Sequence, residues 1–213
     1  MIEPSRAAVF TAKDAWSGGH YETSFFYPPR FDADAVLSAL WSFPALTGPV
    51  ASRNEEPWNQ PQVEPVARQG ELDGVASLPG GGRAACATFV FESEDGGEVT
   101  FALPLGSLAL AWPEVGGFPF GVSSLEVEAW EPRLEKFLLE LASHVHARTP
   151  FLRALTGFEG IAWAMEGRQL THPGPVPTSH GAGIIDVKDG ELMWHPPTDR
   201  GGFLDADGNP LTL

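Results

Sequence analysis

The sequence predicts an α+β fold: a single domain over residues 1–213, with a mainly antiparallel, strongly twisted sheet carrying two principal helices packed on one face. Three observations predict it. The run EPRLEKFLLELASHVHAR, Glu131 to Arg148, has a helical period; ATFVFESEDGGEVTFALPL alternates on either side of a turn; and HYETSFFY alternates just before a second helix signal at Asp32. In the longest helix, Leu134, Leu138 and Ala142 form one ridge and Phe137, Leu141 and Val145 the next. That broad apolar face needs a sheet to lie on. Pro132 suits the first turn, and His144, His146 and Arg148 gather at the negative end of the helix dipole.

Taken in order, residues 1–19 read as an N-terminal arm with Trp16 as an anchor and a loose tip. HYETSFFY is a strand whose Tyr21, Thr23, Phe25 and Tyr27 share an aromatic face. Asp32 caps a helix that runs to about Phe43, burying Val36, Leu37, Leu40 and Trp41 before Pro44 stops it. From Thr47 to Gly82 (47–82) the chain makes a long irregular excursion, with short strands expected around Gln62 to Arg68 and Gly74 to Leu78. Gly80-Gly81-Gly82 is a hairpin turn; no Gly-Lys-Ser/Thr follows to make it a phosphate loop. The next hairpin sets Ala87, Phe89 and Phe91 against Val99, Phe101 and Leu103, with its turn around Asp95-Gly96-Gly97. A short element is expected from Leu105 to Trp112, and LEVEAW alternates again before the long helix. After it come strands through Leu155 and through Ile161, Trp163 and Met165, then a hairpin turning at Asp189-Gly190.

Composition narrows the function. Hydrophobic residues make up 43% of the chain and charged residues 19%, with seven Trp and fourteen Phe, which describes an aromatic-rich core rather than a disordered chain. A net charge of −15 argues against nucleic acid and anionic membrane, because phosphate binding depends on Lys and Arg. Acidity of this size serves solubility or steers the chain toward a basic protein partner. Cys86 is the single cysteine, so no intrachain disulfide forms, and a buried strand position is expected for it. With no charged leader and no long apolar run in the sequence, a cytoplasmic location is expected.

Chemistry-bearing patterns are sparse. His144 and His146 point about 200° apart on a helix and cannot grip one metal ion. His20 and Glu22 share a strand face, at a spacing that suits a ligand or acid/base pair. His180, Asp186 and His195 complete that set only if the fold brings them together. His180-Gly181-Ala182-Gly183 lacks the G-x-S-x-G elbow that an oxyanion loop accompanies in α/β-hydrolases. Asp205, Asp207 and Asn209 have the spacing of a calcium loop, but Pro210 stands where that loop needs glycine. No cofactor and no metal site is expected.

Two functional expectations result. One is a non-catalytic acidic protein-binding module, immunity- or antitoxin-like by composition, which neutralises a basic partner through Trp16, Trp58 or Trp112 in loop-like stretches. The other is a small metal-assisted, hydrolase-type enzyme built on His20, Glu22, His180, Asp186 and His195. A sheet edge near the C-terminus offers a way to pair two chains, and nothing in the sequence requires it.

Overall fold

In the computed structural model, residues 8–115, 130–158 and 182–197 are described. They form one open sheet of eight strands: β1 His20–Tyr27, β2 Leu46–Val50, β3 Leu72–Ser77, β4 Arg83–Ser93, β5 Gly96–Pro104, β6 Arg153–Phe158, β7 Gly183–Lys188 and β8 Glu191–His195. The order is β2-β3-β4-β5-β1-β6-β7-β8, and every pair is antiparallel. The helices are α1 Ala33–Trp41, α2 Leu105–Ala111 and α3 Glu131–His146. The fold is therefore α+β, as the periodicities predict, and α2 accounts for the short element after β5.

Helices α1 and α3 cover the same face of the sheet. Register sets Tyr21, Thr23, Phe25 and Tyr27 beside Leu103, Phe101, Val99 and Gly97 on one side, and beside Phe158, Thr156 and Ala154 on the other. Onto this layer α3 lays Phe137, 6.4 Å from Phe101, while Trp130 meets Tyr21 edge-on at 5.8 Å. The Trp41 indole N–H at the end of α1 donates to Thr88 Oγ1 at 3.2 Å. Thr23 and Thr156 satisfy each other inside the aromatic layer at 2.9 Å. Asp32 caps α1 by accepting the Ala35 amide at 3.0 Å.

Several expectations need correction. The β4–β5 turn is Glu94-Asp95, because Ser93 already pairs with Gly96. Gly97 has a packing role instead: a Cβ there would fall 1.9 Å from the Phe31 ring, which stacks on Tyr27 at 4.9 Å. The core-facing residues of β4 are Ala84, Cys86 and Val90, with Thr88 between them; Ala87, Phe89 and Phe91 point to the opposite face, paired with Ala102, Thr100 and Glu98. Within 47–82, the strands are β2 and β3. Gln62–Arg68 contributes only a bridge from Gln62 to Val50 and the start of a 3-10 turn. LEVEAW up to Ala129, the stretch through Ile161, Trp163 and Met165, and the Asp205 to Asn209 turn lie outside the described residues.

The arm is docked on the sheet through Phe10. Phe10 is fully buried among Val50, Val75 and Ala85 on the sheet face away from α1 and α3, and Trp16 packs against that cluster. The Glu56 carboxylate accepts the Phe10 amide (3.2 and 3.3 Å), the Thr11 amide (2.9 Å) and the Thr11 hydroxyl (2.7 Å). Farther along, the Leu105 and Gly106 amides at the start of α2 donate to Gly19 and Ser17. These bonds account for the fixed path that a weakly periodic sequence does not announce.

Candidate functional site

Four of the residues singled out from the sequence, His20, Glu22, Asp186 and His195, share the face opposite α1 and α3. His20 and Glu22 lie on β1, both half-buried, with the His20 ring 6.2 Å from Phe89. His195 sits on β8 in the row Ser24–Leu155–Ile184–His195. Three strand spacings place it about 14 Å from β1. Asp186 belongs to the row Phe26–Arg153–Asp186, displaced from Glu22 by about 13 Å along β1 and by two strand spacings across the sheet. His180 lies outside the described residues. The fold thus gives these side chains a common face but holds His195 and Asp186 beyond hydrogen-bond or ligand reach of the His20 and Glu22 pair. Among the described residues, no three His, Cys, Asp or Glu side chains are grouped to hold a metal ion.

Asp186 has a structural partner. Its Oδ1 accepts Arg153 Nε at 3.1 Å and Nη2 at 3.0 Å, and Arg153 is only 3% exposed. A buried guanidinium without a carboxylate costs several kcal/mol, so this pairing explains the aspartate without chemistry. Cys86, fully buried, has its thiol pKa pushed well above the ordinary value, by burial first and the Asp73 carboxylate second. It is an inert core thiol.

The loop tryptophans each carry an arginine on the ring. Arg53 lies 3.8 Å over Trp16, Arg83 5.2 Å over Trp58 and Arg133 4.6 Å over Trp112. Trp112 belongs to the core, and the Trp16 indole N–H donates to the Phe10 carbonyl at 2.9 Å. Arg53 also grips both Asp73 oxygens at 2.8 Å and pairs with Glu71; the bond to Asp73 leads the causes that raise its pKa. These stacks brace the loops on the sheet.

Among the described residues, the exposed large aromatic lies elsewhere, at the tip of the β4–β5 hairpin. Phe91 is 57% exposed. It pairs with Glu98 and is followed by Glu92, Glu94 and Asp95, all exposed. At its base the tip is anchored: Thr100 Oγ1 donates to Glu98 Oε1 at 2.8 Å and contacts Ser24 Oγ at 2.8 Å, both hydroxyls being buried. Sequence alternation alone put Phe91 in the core. The signal that points outward is the density of acids near it in the sequence, since burying this stretch of the strand would carry carboxylates out of water with it.

No protein-family model, no curated protein and no solved structure matches the chain. Among the described residues, no helix is long and apolar enough to cross a membrane.

Proposed function

We propose that the chain is a non-catalytic acidic protein-binding module that neutralises a basic protein partner, in the manner of immunity or antitoxin proteins, through the β4–β5 hairpin tip. The observation that carries this reading is the solvent-facing Phe91 at an acidic hairpin tip, with Glu98 opposite it on β5 and the exposed Glu92, Glu94 and Asp95 following it in the chain. An exposed aromatic supplies anchoring area, and carboxylates around it select a cationic surface and speed encounter. The net charge of −15 extends that steering field. A cytoplasmic setting goes with the reading, because the single thiol is buried and needs no oxidising compartment.

The test is affinity capture from the source cells with wild-type chain, a Phe91→Ser variant and a Glu92→Gln/Glu94→Gln/Asp95→Asn variant, at low and moderate salt, with metals assayed on the same samples. A basic protein retained by the wild type, released by salt and lost from both variants supports the module. Equal retention by all three rejects the tip. Stoichiometric transition metal without a protein partner shifts the reading to a metal-assisted enzyme using His20 and Glu22.

A further inference from the structure

We infer that the basic partner is taken up as an added β-strand on the outer edge of β4, at Val90 and Glu92; this inference rests on the binding reading above. β3 stops at Leu72, opposite Thr88, whereas β4 continues to Ser93. Gly70, with φ 74° and ψ −121°, turns the preceding chain off that line. β4 therefore projects past its neighbour.

Alternation fixes which backbone groups face the gap. The Ser77 amide donates to the Ala45 carbonyl at 2.7 Å, on the β2 side, so Ala76, Gly74 and Leu72 face β4, and their partners Ala84, Cys86 and Thr88 face β3. Ala85 points the other way, its amide donating to Ser107 Oγ of α2 at 2.6 Å. Carried two residues at a time, the same parity sends the N–H and C=O of Val90 and Glu92 outward. Among the described residues, no strand pairs with them there.

An incoming extended segment would continue the line of β3 and take main-chain bonds from this edge. Its residue opposite Phe91 would lie against that ring; of the residues on either side, one would face Glu92, with the Glu94-Asp95 turn beyond it, and the other would lay the stem of its side chain along Val90. The matching segment is thus an extended run alternating apolar and Lys/Arg residues. A second copy of this chain is a poor occupant, since each brings a charge of −15 to the contact.

The probe is the synthetic peptide Lys-Val-Lys-Phe-Lys-Val-Lys, titrated into the full ¹⁵N-labelled chain. Two N-methylated versions accompany it, one methylated at its lysine amides and one at its Val and Phe amides. Strand addition predicts shifts confined to Phe89–Asp95 and their cross-strand neighbours. It also predicts that one methylated series loses about tenfold in affinity while the other binds as before, because alternate amides face β4. On the protein side, Glu92→Pro, which removes an outward N–H, should bind far more weakly than Glu92→Gln, which removes only charge. Salt-sensitive binding indifferent to both methylation patterns and equal in the two variants overturns strand addition and leaves the acidic-module reading standing. No binding of any peptide at low salt overturns both. Phe91-dependent self-association without peptide binding assigns the edge to a second copy and likewise overturns the inference.

Discussion

The two faces of the sheet are buried by different means. Under α1 and α3 the rows are large and apolar, with Tyr21, Phe25, Phe101 and Leu103 meeting Leu37, Leu138 and Leu141, and the one hydroxyl pair within them, Thr23 with Thr156, is closed on itself. On the other face, Ser24 is linked through Thr100 to Glu98, Arg153 grips Asp186, and the arm is held by Glu56. One face is specified by volume, the other by matched polar partners. Matched partners end where the sheet ends, and there the hairpin tip is left to solvent with its phenylalanine and acids.

The largest expected effect is on the face specified by volume. Phe101→Ala should cost about 3–5 kcal/mol in urea unfolding, because the rigid aromatic layer beneath α3 cannot collapse into the space. A cost below about 1 kcal/mol would break the comparison. On the partner-specified face, Arg153→Met should cost about 2–4 kcal/mol by stranding the Asp186 carboxylate in a half-buried site, and adding Asp186→Leu should restore most of it. A double variant no better than the single would mean that volume, not pairing, governs this face too.

The smallest effect sharpens the boundary of the helix layer. His146 Nδ1 accepts the Phe151 amide at 3.3 Å, and His144 lies between Ser42 (3.0 Å) and Arg148 (3.2 Å) with its ring on Phe43. Burial lowers both pKa values below the ordinary histidine value, and Arg148 lowers that of His144 further. The folded state thus favours the neutral rings and the unfolded state binds more protons. Their stabilisation is present above the ordinary histidine range and is lost as pH falls through the lowered values. Thermal melts between about pH 7.5 and 5.5 should show a small fall in Tm that flattens in His144→Gln/His146→Gln.

Much of the fold is legible where local chemistry decides it. Asp32, Pro132 and the Asp189-Gly190 turn act on the backbone within a few residues of themselves and mark element ends correctly. β2 is hidden because Leu46–Val50 includes Gly48 and Pro49, poor strand residues tolerated at a sheet edge. The facing of β4 is misread because size suggests Phe89 and Phe91 for the core, whereas the layer beneath the helices leaves room on that strand only for Ala84, Cys86, Thr88 and Val90. For the site, strand parity is readable and strand order is not. His20, Glu22, Asp186 and His195 do share a face, but sequence cannot count the strands between them. Nor does any residue pattern mark Trp16, Trp58 and Trp112 for an arginine far away in the chain.

β1 sits at the centre of the sheet, yet it is synthesised before everything that flanks it. Phe25 pairs with Val99 on one side and Ala154 on the other, so the strand richest in adjacent aromatics has two bare edges until most of the chain has emerged. Closing such distant pairings is slow, and an apolar strand open on both sides invites the wrong neighbour in the meantime. The acidic composition is then of service before folding is complete: it keeps unfinished chains apart while the middle strand waits for its partners.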